Sequence, residues 1–183
     1  VAVLADGHVA VIDERQRSLS IFLLNADTRE LDSAQAVQRV ELGTVGDSNK
    51  GFEGLAWDSR NQRLLLANEK NPGRLFSLAC DGRRVSGPLQ SLGDLDGYVS
   101  DVARLSVDSR SGQLLALSQE SHLLLGLDPQ LRAQSFLALL PGLNGLTRRV
   151  PQAEGLALDN AGNLYVVSER NLFFAFRREV SAP

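Results

Sequence analysis

The stretch EGLALDNAGNLYVVSERNLFFAF, residues 154–176, decides the fold. An apolar run from Glu154 stops at Asp159, the polar turn DNAGN follows, and a second apolar run leads back to Glu169. A short polar turn then gives way to a third apolar run, LFFAF. Asp and Asn bond their own backbone in tight turns, and Gly supplies the positive φ such turns need. Apolar runs of strand length separated by these turns predict an antiparallel meander. Helix is the weaker reading, because Gly and Asp turns interrupt the apolar runs too often.

The same unit recurs upstream. First strands read EGLAWD (53–58) and ARLSVD (103–108), second strands RLLLANE (63–69) and QLLALSQE (113–120). Third strands read RLFSL (74–78) and HLLLGLD (122–128), with outer strands at RRVSGPLQSL (83–92) and RAQSFLALL (132–140). An earlier copy, VAVIDERQRSLSIFLL (9–24), follows a short inner strand at Val1–Leu4. The repeat brings Glu14, Glu69, Glu120 and Glu169 to nearly the same place, at spacings of 55, 51 and 49 residues. A fixed period near 50 with several strands per repeat is the signature of a β-propeller. The middle copy is one residue longer, so either Gln119 or Glu120 can take the Glu position; we align Glu120, with a one-residue bulge at Gln119. A short helical turn is expected near Asp32–Gln38.

The expected fold is therefore all-β: a β-propeller of four-stranded antiparallel blades, with about four blades in this chain from a five- or six-bladed ring. A single propeller domain is expected over residues 1–183. The chain has no Met and begins inside the apolar run VAVLADGHVAV, and its last repeat stops after a third strand. Further blades, and any targeting segment, are expected N-terminal to Val1.

Composition narrows the function. The chain of 183 residues is 43% hydrophobic and 22% charged, ordinary for a globular protein with one buried core. A net charge of −3 without a basic stripe argues against nucleic-acid binding. No apolar run reaches the length of a membrane span. Cys80 is the one cysteine, so no internal disulfide or thiolate metal site forms. His8 and His122 lie in turns without a nucleophilic serine motif, and no P-loop or dinucleotide fingerprint occurs. Trp57 reads as core.

The repeated acids carry the chemistry. In a propeller the inner strand leaves one face and the second strand returns to it. Glu53 heads an inner strand and Glu69 ends the strand beside it; Glu154 and Glu169 repeat that pair, and Glu120 repeats the second position. The inner position of that middle repeat is Ala103, with Asp101 two residues earlier and within reach of the same mouth. Carboxylates converging on one mouth repel each other unless a cation intervenes. Oxygen ligands without His or Cys suit calcium, and magnesium less readily. The structural alternative is ion pairing with Lys50, Lys70, Arg15, Arg104 and Arg170, or backbone hydrogen bonding. Asp58, Asp108 and Asp159 read as turn residues at the opposite end. The connection PGLNGLTRRVPQ (141–152) leads into Glu154 and reads as a loop or a lid.

The segments NKGFEGLAWD, LLLANEKNP, LLALSQESHLLLGLD and PQAEGLALDNAGNLYVVSERNLFFAF closely resemble the SdiA-regulated (YjiK-like) family of bacterial proteins, and VAVIDERQRSLSIF fits it too. The resemblance implies a β-propeller and a cell-envelope or periplasmic location, with membrane attachment only through an anchor outside this chain. It places weight on Glu53, Glu69, Glu120, Gln152, Glu154, Glu169 and Asn171. Arg104 departs from the small residue expected there and would repel a metal.

The favoured expectation is a non-enzymatic envelope propeller whose acidic mouth, built from Glu53, Glu154, Glu69, Glu120, Glu169 and Asp101, binds a divalent cation, calcium, and with it a small ligand or protein partner. A metal-dependent hydrolase of the lactonase or phosphatase kind, with Glu154 as base, is the second reading. An ion-free protein-interaction scaffold is the third.

Overall fold

A computed structural model of the chain describes residues 1–43, 51–69 and 73–178. Lys50, Lys70 and the Asn71–Pro72 part of the EKNP motif lie outside the described residues. The described residues form fifteen strands and one 3-10 turn, Ser33–Gln35. Asp32 caps that turn, its side chain accepting from the Ala34 N–H at 2.9 Å. This is the short helical turn that the sequence leads one to expect.

The strands pair into four antiparallel sheets, each a β-propeller blade. Blade 1 holds β1 (Ala2–Val3), β2 (His8–Asp13), β3 (Ser18–Leu23) and β4 (Gln38–Glu41). Blade 2 holds β5 (Phe52–Asp58), β6 (Arg63–Asn68), β7 (Arg74–Cys80) and β8 (Val85–Asp94). Blade 3 holds β9 (Arg104–Val107), β10 (Leu114–Ser118), β11 (Leu123–Leu127) and β12 (Ala133–Ala138). Blade 4 has three described strands, β13 (Ala153–Leu158), β14 (Leu164–Ser168) and β15 (Leu172–Phe176). Every strand pairs with its sequence neighbour, as a meander requires. The chain divides into two compact units, Val1–Leu95 and Asp96–Pro183, each holding two blades.

In the first unit Ala10, Leu19 and Ile21 of blade 1 share one core cluster with Leu55, Leu64, Leu66 and Phe76 of blade 2. Phe52 meets Phe76 edge to face, ring centroids 5.6 Å apart. Polar contacts fix the same pair of blades. The Gln38 amide donates to the Val85 carbonyl at 2.9 Å and accepts from the Val85 N–H at 2.8 Å. Arg83 pairs with Asp6, its Nε at 2.9 Å.

In the second unit Leu115, Leu117 and Leu124 of blade 3 share a cluster with Leu164 and Val166 of blade 4, closed by Leu139 and Val150. Each fully buried leucine contributes about 2 kcal/mol of transfer free energy. Arg110, in the β9–β10 turn, donates to the Ala161 carbonyl in the β13–β14 turn at 2.9 Å, joining the two blades.

The expected bulge at Gln119 is corrected. β10 pairs without a register shift with β11 up to Ser118 and with β9 up to Leu117. The additional residue lengthens the following turn: four residues separate Ser118 from Leu123, against three between Ser168 and Leu172. A turn absorbs an insertion without breaking ladder hydrogen bonds, which a strand does not.

Candidate functional site

Blades 2 and 4 build the same arrangement from the same sequence pattern. The register of β5 on β6 shifts between Phe52 and Gly54, and that of β13 on β14 between Ala153 and Gly155. Glu53 and Glu154 are thus the extra residues of two equivalent bulges. A bulged residue is left out of the pairing and its side chain is re-aimed. Opposite the bulges stand Asn68 and Ser168, the last paired residues of β6 and β14. Glu69 and Glu169 come next in the chain, so each blade sets a strand-end glutamate beside a bulged one. Glu53 and Glu69 are half-buried, whereas Glu154 and Glu169 are exposed.

The glycine after the bulged glutamate of blade 4 is part of the device. A Cβ on Gly155 would fall 2.0 Å from Val167 Cγ2, so only glycine lets the two strands close there. The turns around the blade 4 pair are held in left-handed backbone: Gln152 has φ of 37°, Arg170 of 65° and Asn171 of 61°. The Ser168 hydroxyl donates to the Pro151 carbonyl, and the Glu169 N–H donates to the Gln152 carbonyl at 3.1 Å. These bonds tie the start of β13 to the end of β14, which fixes the spacing of the two carboxyls.

The pair has an electrostatic consequence. Partial desolvation of the largely exposed Glu154 carboxyl, then repulsion from the Glu169 carboxylate, then a hydrogen bond between the two side chains, raise Glu154 above the ordinary carboxylate value. Two carboxyls at hydrogen-bonding range hold either a shared proton or a cation at lower cost than two bare charges.

Blade 3 departs from this pattern. Ala103 stands where the bulged glutamates stand, and Arg104 replaces Gly54 and Gly155. Burial lowers the Arg104 guanidinium. Asp101 is 3% exposed. Its carboxylate accepts from the Ser118 hydroxyl, from the Gln119 N–H at 3.2 Å and from the Glu120 N–H at 3.0 Å. Asp101 therefore anchors the end of β10, doing with a side chain what the Pro151 and Gln152 carbonyls do in blade 4. Glu120 is exposed in the lengthened turn.

In blade 1, Glu14 follows the last paired residue of β2, as Glu69 and Glu169 follow theirs. A Cβ on Gly51 would fall 2.2 Å from Glu14 Cγ, so the Glu14 stem lies against the chain leading into Glu53. Two blades of the first unit thus bring acids to one end.

The aspartates at the other end serve the turns, as the sequence reading has it. Asp58 accepts from Asn61 Nδ2 at 2.7 Å and from Arg63 Nε at 3.0 Å. Burial pushes its carboxyl up, and the bonds from Asn61 and Arg63 overcome that and hold it below the ordinary value. Asp159 accepts from Asn163 Nδ2 at 2.8 Å and from the Tyr165 hydroxyl at 3.0 Å.

Among the described residues, no three His, Cys, Asp or Glu side chains gather as a ready-made metal cage. The acids come as pairs. The sequence reading missed the part played by backbone carbonyls at Pro151 and Gln152. The only hint was the weight of the QAEG motif on Gln152, whose contribution is its φ and its carbonyl.

The model of the SdiA-regulated family matches residues 1–177. The chain belongs to the SdiA-regulated family. This SdiA-regulated protein is similar to solved structures that share its fold. Streptogramin B lyase aligns with 98% of the chain at 12% identity and a TM-score of 0.58, with 54% of its own chain covered. Glutaminyl cyclase of Myxococcus xanthus aligns with 84% of the chain at 20% identity and a TM-score of 0.54, 53% of it covered. A chain of the nidogen/laminin complex aligns with 89% at 11% identity and a TM-score of 0.56, 53% of it covered. The chain spans about half the length of these structures. Two are named as enzymes and one as a protein complex, so the shared fold leaves function to the site.

Proposed function

We propose that this SdiA-regulated protein is a non-enzymatic binding propeller of the bacterial cell envelope, whose paired glutamates hold a divalent cation, calcium. The observation that carries the reading is the Glu154–Glu169 pair, two carboxyls at hydrogen-bonding range on a bulge and a strand end. Glu53 and Glu69 repeat the pattern in blade 2. Carboxylate oxygens without His or Cys suit a hard cation, and calcium fills a six- to eight-fold shell with carbonyls and water. A pair of ligands leaves most of that shell open, which suits an ion that also takes a small ligand or a protein partner. Asp101, already occupied by donors of its own blade, is left out of the site. The envelope location rests on the family resemblance.

Calcium titration calorimetry on chelator-stripped protein tests this reading, beside a Glu154→Gln/Glu169→Gln variant. Binding that is lost in the variant supports it. Heat that is absent from the wild type, or identical in both, overturns the blade 4 site and returns the carboxylates to a structural role.

One observation favours a second reading, a metal-dependent hydrolase of the lactonase or phosphatase kind. The raised Glu154 carboxyl moves toward the range in which a general base works near neutral pH. Metal-dependent turnover of a lactone or phosphate ester that disappears in Glu154→Gln would replace the binding reading with this one.

A further inference from the structure

Residues 133–147 are the longest run of the chain without a charged side chain, fifteen residues in a sequence that is 22% charged. They span β12 and most of the connection to β13, well inside the chain. Phe136 is 75% exposed, Leu143 48% and Leu140 37%. No Asp or Glu occurs between Asp128 and Glu154, and Arg148 and Arg149 end the run. Both arginines are exposed and make no ion pair among the described residues. Arg132, at the other end, is engaged by Asp128, its Nε at 2.8 Å.

The connection holds a fixed shape. The Gly142 N–H donates to the Leu146 carbonyl at 2.8 Å, and the Val150 N–H donates to the Leu139 carbonyl at 3.0 Å. The second bond folds the arginine pair back beside the end of β12. The outer edge of β12 is open. The Leu139 N–H donates to the His122 carbonyl at 2.7 Å, so Leu139, Leu137 and Ser135 turn their backbone groups toward β11. Phe136 and Ala138 alternate with them and turn theirs outward. Asn144 Nδ2 donates to the Ala138 carbonyl at 2.9 Å. The Phe136 N–H and carbonyl have no partner among the described residues.

Exposed sheet edges are ordinarily blunted by charge, proline or bulges. β4 is four residues long and carries Arg39 and Glu41. β8 carries Pro88 and shifts register twice against β7. β12 has one shift at its start and then runs regularly from Ser135 to Ala138, with neither charge nor proline.

We propose that the outer edge of β12 and the loop after it dock an extended segment of a partner protein, apolar along β12 and acidic where it meets Arg148 and Arg149. Strand addition satisfies the outward groups of Phe136, and alternate side chains of the added strand reach the Phe136 side chain. A bilayer would leave those backbone groups without partners. A second copy of the edge would bring two more arginines and no acid, so charge complementarity selects a different chain.

Selection of a displayed library of random peptides on the immobilised 183-residue chain tests the proposal. The enriched peptides should alternate apolar and polar residues and carry Asp or Glu at one end. Fluorescence anisotropy of a synthesised enriched peptide should show binding weakened about tenfold or more by Phe136→Glu and by Arg148→Glu/Arg149→Glu. The same peptide with lysines for its acids should not bind. A library that enriches nothing, or peptides that bind Phe136→Glu as tightly as wild type, overturn the proposal. Sedimentation with phosphatidylglycerol vesicles, or a dimer, that is lost in Phe136→Glu would overturn it in favour of a membrane or a second copy. Hydrogen exchange on the wild type covers the case in which a variant misfolds. The Phe136 amide should gain protection when the peptide is added, and an amide that exchanges at the same rate with peptide bound places the peptide elsewhere and sinks the idea.

Discussion

Glu154, in the bulge of β13, and Glu169, just past the end of β14, bring their carboxyls within hydrogen-bonding range of each other. The chain creates this contact deliberately. A bulge, a glycine with no room for a side chain and two carbonyl-accepting bonds all converge on it. Like charges this close destabilise the fold unless something is shared between them.

The first prediction concerns pH. Glu154 binds its proton more tightly in the folded chain than in the unfolded one. Stability from this group is therefore full below the ordinary carboxylate value and is lost as pH rises through the raised one. Glu154→Gln removes that loss while keeping a hydrogen-bonding side chain. The Tm of the variant should exceed the wild type's at about pH 8 and converge with it at about pH 4. Melts that show the same difference at both pH values would contradict the pair.

Calcium should compete with that proton. A cation between the two carboxylates favours their charged forms, so binding should release protons and weaken as the solution becomes acid. Calorimetry in two buffers of different ionisation enthalpy reads the release directly. Affinity that does not weaken between about pH 7 and about pH 4 would move the ion away from Glu154.

Asp101 should behave as an anchor. Asp101→Ala leaves the Ser118 hydroxyl and two backbone N–H groups at the end of β10 without their acceptor, at a cost of about 2–3 kcal/mol. Asp101→Asn should recover part of it, and neither variant should change calcium affinity once folded. Urea titration and calorimetry on the same samples check this. A stable Asp101→Ala protein that has lost calcium would give Asp101 a ligand's role instead.

The close approach at Gly155 predicts a specific rescue. Gly155→Ala drives a Cβ into Val167 Cγ2 and should cost about 1–3 kcal/mol. In a Val167→Ala background the same substitution should cost far less, and a double-mutant cycle measures the coupling. Equal costs in both backgrounds would mean that another contact governs the site.

The sequence carried much of this in its period. Turn residues such as Asp58 and Asp159 bond within a few positions of themselves, so their role is legible in DSRNQR and DNAGN. The pairing of Glu154 with Glu169 was also legible, because adjacent strands of a meander must return to the same end. Asp101 was not, since a carboxylate two residues before Ala103 looks the same whether it faces solvent or its own blade. Gln119 and Glu120 were ambiguous for a related reason. An inserted residue can sit in a strand or a turn, and only the β10 register decides between them.

By itself the sequence determined the all-β fold, the blades and the strand ends at which the acids stand. Alternating apolar runs and self-bonding turns are local, and a repeat multiplies a local signal. Only the tertiary structure decided that Glu53 and Glu154 are bulged and that Asp101 is consumed by its own blade. Those outcomes depend on which strand faces which, and at what register, and residues far apart in the chain set both.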